Sequence, residues 1–361
     1  MVMRQTVVGG ADQSYAIDED GCIWGFGLYT SGVQQITSGS EFPRMVAAAA
    51  GCNHALFLDD VGRVWGIGEN GNYQLGMPAD FKQSKTPILI PLPFDKEIVG
   101  IACGDFHSLL LDATGAVWAS GYNISGQVGR PKGKVISQKS FMVINNLNRI
   151  REVRAASLFS LFLDEDGKVW TCGEFPKGTS DSDLRVITNV PPIKEMAAGV
   201  YFCLLVDFEG VVWGTGVNDR GQLGPENNGA NLTPTKFPGL PPIRLCSAGW
   251  NFSIFLGEDD SLWTSGCNTY GTLCNGTNVS HSTAQKIEAP PLLGVSCGWN
   301  HCLLLDYDGN VWCCGEAIKL TFKDNFSISS LTRIPFPKLM LMHSKPKNVK
   351  SARNIKNSID N

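Results

Sequence analysis

The sequence predicts an all-β fold, a seven-bladed β-propeller of four-stranded antiparallel blades over residues 1–343. Three observations lead to it. An eleven-residue stretch, LDATGAVWASG at residues 111–121, has six close copies; a pentad such as GDFHS at residues 104–108 precedes each copy; and a polar loop follows four of them. Units repeated at this spacing form solenoids, propellers or arrays, and a closed ring leaves only short, protected strand edges. The tryptophans of the copies recur every 41 to 53 residues, at Trp24, Trp65, Trp118, Trp170, Trp213, Trp263 and Trp312.

The repeated stretch predicts a β-hairpin. An apolar run such as residues 107–112 arrives, an Asp-x-x-Gly turn follows, and a second run containing the tryptophan leaves. Aspartate bonds its own backbone in such turns, glycine adopts the left-handed conformation that closes them, and tryptophan and β-branched residues suit a half-buried strand. The sixth copy carries Gly257 and Asp260 where the others have Asp and Gly. We therefore expect a looser turn there.

Two further pieces complete each four-stranded unit. The pentad predicts a tight inner turn between a preceding strand, such as residues 98–103, and the hairpin. Beyond the hairpin, polar loops at residues 70–76, 123–129, 218–224 and 268–274 lead toward a Pro-containing run. Since proline within a sheet is confined to edges and bulges, this run predicts the outer strand.

The blades follow one another along the chain, with departures at both ends and in the middle. The first (residues 1–45) has a compact outer part, and the fourth (150–190) lacks the polar loop and has an inner turn without Gly or His. Blades five to seven run to near residue 337. We expect residues 338–344 to add a strand beside the N-terminus, and the basic tail 344–361 to be disordered, with nuclear import as an alternative role.

The unit G-x-x-H-S-L-L-L-D-x-x-G-x-V-W-x-x-G-x-N-x-x-G-Q-L-G resembles the regulator of chromosome condensation repeat. Residues 51–76 and 104–129 match it almost end to end, and the resemblance covers residues 3–343. WD-repeat blades fit less well because no Trp-Asp pair closes a copy, and kelch blades because no Gly-Gly pair precedes each tryptophan strand. The resemblance implies a seven-bladed ring that binds proteins.

Composition narrows the possible partners and compartment. The net charge is −4 overall and −8 without the basic tail, which argues against unaided nucleic-acid binding. We recognise no signal peptide and no apolar run of 18 residues, so we expect no membrane association, and a cytoplasmic or nuclear monomer. The 12 cysteines lack paired metal-ligand spacing, and we interpret most as small buried residues in a reducing compartment.

Residues suited to catalysis or metal binding have a structural interpretation. His54, His107 and His301 share one repeat position, where we expect each to bond a neighbouring blade's backbone and lock the turn. A metal ring is the alternative, but the other blades supply no ligands there. The repeated aspartates are interpreted as turn formers. We predict no catalytic constellation, no phosphate-binding loop, no cofactor and no metal.

The variable residues of the inner turns should line one face of the ring near its opening. Aromatic residues in a shallow depression suit a protein contact, whereas packing of the tryptophans between blades is the alternative. The candidate partner-binding residues are Asp105, Phe106, Tyr201, Trp250, Asn251, Trp299 and Asn300.

We favour a protein-binding propeller that acts as a regulatory or adaptor module through this face. The resemblance also implies an alternative, a guanine-nucleotide exchange factor for a Ran-like small GTPase, in which the face stabilises the nucleotide-free GTPase and lowers nucleotide affinity by linkage. Asp105 matches a motif of exchange-competent members, although no wedge-like insertion is evident. Trp250 and Trp299 also match turns of the plant ultraviolet-B photoreceptor, but Asn251 and Asn300 replace the arginines of that protein.

Overall fold

The structure, a computed structural model, describes residues 6–27, 32–38, 42–176, 183–225, 229–316, 327–336 and 339. Within these ranges, 28 strands form seven four-stranded antiparallel sheets, each made of four consecutive strands. The predicted seven-bladed β-propeller is therefore confirmed. In the same ranges, no helix is long and apolar enough to cross a membrane.

The strands are labelled β1–β28 in chain order, four to a blade. Blades one and two contain Val7–Gly9, Gln13–Ile17, Ile23–Gly27, Gln34–Gln35, Met45–Ala50, His54–Asp59, Val64–Glu69 and Gln83–Leu89. Blades three and four contain Ile98–Cys103, His107–Asp112, Val117–Tyr122, Ser137–Val143, Ile150–Ala155, Phe159–Asp164, Val169–Gly173 and Arg185–Val186. Blades five and six contain Ile193–Ala198, Phe202–Asp207, Val212–Val217, Ala230–Lys236, Ile243–Ala248, Phe252–Gly257, Leu262–Gly266 and His281–Ile287. Blade seven contains Leu292–Cys297, His301–Asp306, Val311–Gly315 and Ile328–Ile334.

The ring closes between the first and last blades. The innermost strand β1 contacts β5 of blade two on one side and β25 and β26 of blade seven on the other. Leu339 forms an antiparallel bridge with Asp18 and is fully buried among residues of blades seven and one. The rest of the predicted locking strand at residues 338–344, and the tail at 344–361, lie outside the described residues.

The hydrophobic core is divided among the seven junctions between neighbouring blades. The second strand of blades two to seven is buried along its whole length, as in His54–Asp59. Leu56 and Leu58 of blade two, for example, pack in one cluster with Leu110 and Phe141 of blade three. A fully buried side chain of this size stabilises the fold by about 2 kcal/mol, so each blade depends on its neighbours.

The outer strands of blades one and four are only two residues long, at Gln34–Gln35 and Arg185–Val186. The other five outer strands have seven residues each. This agrees with the predicted compact first blade and divergent fourth blade. Parts of both outer regions, residues 28–31, 39–41 and 177–182, lie outside the described residues.

The hairpin aspartates form turns, as predicted, and each also holds its blade's tryptophan. In blade three, Asp112 Oδ1 accepts the backbone N–H groups of Thr114 (2.9 Å) and Ala116 (3.0 Å), while Oδ2 accepts the indole N–H of Trp118 (3.0 Å). The same indole contact is made by Asp18, Asp59, Asp164, Asp207 and Asp306.

The expectation of a looser turn in blade six is wrong. Asp260 adopts a left-handed conformation (φ 61°) like the glycines of the other copies, and its N–H donates to the carbonyl of Gly257 at 3.1 Å. The Trp263 indole donates to the Ser261 hydroxyl at 2.8 Å, since no aspartate side chain is available at position 257. Aspartate tolerates this backbone region through its short polar side chain, so the turn closes as in the other blades.

Candidate partner-binding site

The inner turns of the seven blades meet at one mouth of the central channel. All seven contribute residues to its lining, mostly glycine and alanine. Neighbouring turns are joined by backbone hydrogen bonds: the Ala11 N–H donates to the Gly51 carbonyl (3.1 Å), and the Trp299 N–H to the Gly10 carbonyl (3.2 Å). We call this surface the inner-turn face.

The three turn histidines join neighbouring blades through serine hydroxyls. The Nε2 atoms of His54, His107 and His301 lie 2.9, 2.9 and 2.7 Å from the hydroxyls of Ser108, Ser160 and Ser14. Each histidine thus contacts the next blade, and its role in locking the turn stays a prediction. The expectation that each ring bonds the neighbour's backbone directly is corrected, because each ring contacts a serine hydroxyl. In blades three and four that serine in turn donates to a backbone carbonyl. Each histidine serves a different junction, so the three rings do not converge as a metal ring would require.

The serine contacts fix the hydrogen positions on His54. Ser108 donates its hydroxyl hydrogen to the Gln74 carbonyl at 2.7 Å, so the neutral His54 ring must donate from Nε2. Burial lowers the pKa of His54 and of His107 to about 3, and that of His301 to about 4. All three rings are therefore neutral at physiological pH.

Trp299 spans the channel mouth from blade seven to blade three. Its indole N–H donates to Asp105 Oδ1 at 3.2 Å, which joins residues 194 positions apart in sequence. Asp105 is only 9% exposed, and burial raises the pKa of its carboxyl group, while hydrogen bonds from Ser157 and Trp299 oppose that rise. The sequence singled out both residues but not their contact. Both residues line the channel mouth, where the Trp299 indole occupies one oxygen of the Asp105 carboxyl group.

Trp250 is the accessible aromatic group of this face. It is 39% exposed, and its ring lies against that of Trp299, with centroids 5.2 Å apart and planes inclined at 53°. The two tryptophans therefore lie side by side at the channel mouth. The alternative in which both are packed between blades does not describe them, because Trp299 lines the mouth and Trp250 reaches solvent.

The other candidate residues occupy the inner turns of blades three, five, six and seven. Phe106 is partly buried and contacts the Tyr122 ring edge-to-face at 6.3 Å, and Tyr201 is also partly buried. Asn300 donates from its side-chain amide to Glu316 Oε2 at 2.9 Å, and Asn251 occupies the equivalent turn position in blade six. All seven candidates therefore belong to one face.

Acidic side chains on the same face were not singled out from the sequence. Glu69, Glu174 and Glu316 each follow the glycine that ends a third-strand run, and the backbone N–H of each donates to an inner-turn carbonyl. Asp12 lies exposed in the first inner turn. The repeat position that the three glutamates share is the sequence signal that could have identified them. The face thus combines an exposed indole with several carboxylates.

The channel below the mouth holds a charged cluster that the sequence did not reveal. Arg154 lies 2.5 Å from Glu152 and 3.5 Å from Glu195, beside a cavity of about 130 Å³. Burial, followed by repulsion from Glu152, raises the pKa of Glu195 to about 8, although Arg154 opposes the shift. Arg154 and Arg151 therefore only partly offset the two buried carboxyl groups, and the Glu195 carboxyl group holds its proton to a higher pH than an exposed glutamate does.

Comparison with solved structures supports the fold. The chain resembles human WBSCR16, with a TM-score of 0.76 and 21% identity over 85% of each chain. It also resembles Prp20p of Saccharomyces cerevisiae, with a TM-score of 0.71 and 21% identity over 81% of this chain and 80% of the other. At this identity the likeness concerns the propeller architecture.

Sequence relatives match part of the chain. The "RCC1-like G exchanging factor-like protein" of Mus musculus is 29% identical over 164 residues, covering 39% of this chain and 35% of that protein. Human "Protein RCC2" is 31% identical over 130 residues, covering 36% of this chain and 25% of that protein. The chain therefore matches about a third of the first relative's length and a quarter of the second's.

A family model covers most of the chain. The model of the RCC1-like domain matches residues 33–338, from the outer strand of blade one to the end of blade seven. The repeat unit, the seven blades and this match agree, and the chain belongs to the RCC1-like domain family.

Proposed function

We propose that the chain binds a protein partner through the inner-turn face and acts as a regulatory or adaptor module. The observation that carries this proposal is the exposed Trp250 ring beside Trp299, on a face that also carries the exposed side chains of Asp12, Glu69 and Glu316. Tryptophans in such positions contribute a large share of binding energy at protein interfaces. The carboxylates favour a partner that offers basic side chains, which would also stack on the indole.

The test compares two exposed aromatic residues on opposite faces. Trp250→Ala removes the indole of the inner-turn face, and Phe208→Ala removes a 67% exposed ring from the hairpin turn at the far end of blade five. Proteins that bind through the inner-turn face should be captured by the unmodified chain and by Phe208→Ala, and lost from Trp250→Ala. Equal capture by all three proteins would contradict the proposal.

A second candidate function is guanine-nucleotide exchange on a Ran-like small GTPase. It is favoured by the name of the mouse relative, an exchanging factor-like protein, and by Asp105, which lies in the GDFHS turn. The Prp20p structure is described together with its binding to Gsp1p and histones, which is a property of that protein. In this chain, the Trp299 indole occupies one oxygen of the Asp105 carboxyl group.

Release of fluorescent GDP from a panel of small GTPases, Ran included, tests this second function. Asp105→Asn should reduce any acceleration of GDP release. Trp299→Phe removes the indole hydrogen bond to Asp105 and should preserve or increase that acceleration. If the folded, unmodified chain accelerates GDP release from no GTPase of the panel, exchange is excluded and the adaptor function remains. Acceleration that is unchanged in Asp105→Asn would instead place exchange on other residues.

A further inference from the structure

Three buried cysteines meet at the junction between blades six and seven. Cys274 ends the polar loop of blade six, and Cys302 and Cys314 lie on β26 and β27 of blade seven. Their sulfur atoms all lie within 4.8 Å of one another, and those of Cys274 and Cys302 are 3.3 Å apart. Within the described ranges, this is the one group of three or more His, Cys, Asp or Glu side chains that converges in this way.

Two of the equivalent junctions use hydroxyl groups at both strand positions. Between blades five and six, Ser253 donates to the Gln222 carbonyl at 2.6 Å and Ser265 donates to the Gly221 carbonyl at 2.7 Å. Between blades two and three, Ser108 and Ser120 make the corresponding contacts. In blade seven, thiols replace both hydroxyls. The junction therefore exchanges two good hydrogen-bond donors for two weak ones.

The third thiol occupies a position where the other loops need glycine. Cys274 has a φ of 57°, and its equivalents Gly76, Gly129 and Gly224 have φ values of 66°, 70° and 95°. A side chain in this left-handed region is less stable than glycine because its Cβ crowds the backbone. Single thiols occur at the strand positions of other blades, as Cys172 and Cys203, but only the junction between blades six and seven carries thiols at all three positions.

The arrangement provides four donor atoms for one metal ion. The Thr272 carbonyl oxygen lies 3.6 Å from Cys274 Sγ and 3.8 Å from Cys302 Sγ. Tetrahedral zinc with ordinary bond lengths requires sulfur–sulfur separations of about 3.8 Å and sulfur–oxygen separations of about 3.6 Å. The sulfur–oxygen distances match, whereas the 3.3 Å between Cys274 and Cys302 would have to widen by about 0.5 Å when zinc binds. We propose that Cys274, Cys302, Cys314 and the Thr272 carbonyl bind a structural Zn²⁺ ion that fastens blade six to blade seven.

The charge balance favours a divalent ion. All three cysteines are buried and form no disulfide. Zn²⁺ would displace three protons to solvent and form three Zn–S bonds, which leaves one net negative charge. A monovalent copper ion in the same site would leave two. Since burial of net charge is unfavourable, zinc is the better match among the soft ions that thiolates select.

The test measures metal content in the full chain, produced with zinc and purified in reductant without chelator. We expect about one zinc ion per chain by elemental mass spectrometry, and a fall in unfolding temperature when a zinc chelator is added. The variant Cys274→Gly/Cys302→Ser/Cys314→Ser reproduces the junction between blades five and six and should bind no zinc. Cys172→Ser changes a buried thiol at the junction between blades three and four, and should keep the metal.

Each outcome decides the proposal. Zinc that is absent from the unmodified chain and not taken up on titration would overturn it, as would zinc retained by the triple variant. A Cys274–Cys302 disulfide with no metal in the purified chain would overturn it as well. Should the triple variant not fold, Co²⁺ bound by the unmodified chain gives the answer: thiolate-to-cobalt charge-transfer absorption supports the site, and its absence contradicts it.

Discussion

The neutral turn histidines should make the propeller sensitive to mild acid. His54, His107 and His301 have folded-state pKa values of about 3, 3 and 4, below the value of about 6.5 of an unfolded chain. The unfolded chain therefore takes up protons as the pH falls through 6.5, while the folded chain does not. The stability from these rings is complete above pH 6.5 and is lost progressively toward pH 3 to 4.

The magnitude depends mainly on the unfolded chain. Between pH 7.5 and 5.5, each buried neutral histidine lowers the free energy of unfolding by about 1.3 kcal/mol, so three lower it by about 4 kcal/mol. The result changes little with the folded pKa, provided that it stays well below 5.5. Such a loss is a large part of the 5–15 kcal/mol or so that stabilises a typical domain.

A substitution taken from the chain's own repeat isolates the effect. Phe202 occupies the histidine position in blade five and is fully buried. His54→Phe should therefore fold. Between pH 7.5 and 5.5 its free energy of unfolding should fall by about 1.3 kcal/mol less than that of the unmodified chain. Urea unfolding followed by tryptophan fluorescence at pH 7.5 and 5.5 gives this double difference, in which other titrating groups cancel.

A second variant separates burial from hydrogen bonding. Ser108→Ala removes the hydroxyl beside His54 but leaves the ring buried, so the pH-dependent loss should persist. If His54→Phe and the unmodified chain lost the same free energy between pH 7.5 and 5.5, the burial argument would be refuted.

Three further outcomes test the account elsewhere. Burial raises the pKa of Glu195, so the stability that its protonated form contributes is complete below about pH 4.5 and is lost as the pH rises through about 8. Glu195→Gln does not titrate, so its free energy of unfolding should rise relative to that of the unmodified chain between about pH 5 and pH 9, measured by urea unfolding. Asp112→Ala leaves the Trp118 indole and two backbone N–H groups without their acceptor and should cost about 3 kcal/mol, measured at pH 7. Trp250→Ala should change the unfolding free energy by less than about 1 kcal/mol, because the side chain is partly exposed; a larger loss would show that it supports the fold.

The fold was predictable because the chain repeats its local pattern seven times. Hairpin turns, inner turns and polar loops each join residues close in sequence, so one copy explains the others. The short outer strand of blade four and the role of the turn aspartates could be read in the same way. The turn of blade six could not, because Asp260 adopts the conformation that glycine has elsewhere.

Contacts between blades could not be read from the pattern. The Arg154–Glu195 pair and the cluster of Cys274 with its two partners form only when neighbouring blades pack together, and the Asp105–Trp299 hydrogen bond joins blades three and seven across the ring. Sequence spacing carries no signal for such contacts. The candidate face was identified because its residues share one repeat position, whereas the burial of Asp105 by Trp299 depends on the curvature of the ring.

Hydrogen exchange of the chain in complex with a captured partner tests the central claim most directly. Binding through the inner-turn face should protect the backbone amides of residues 249–251 and 298–300, which lie at the channel mouth. The hairpin turns at the other end of the blades, such as residues 207–210, should exchange as in the free chain. Protection confined to the hairpin turns, with residues 249–251 and 298–300 unchanged, would contradict the account.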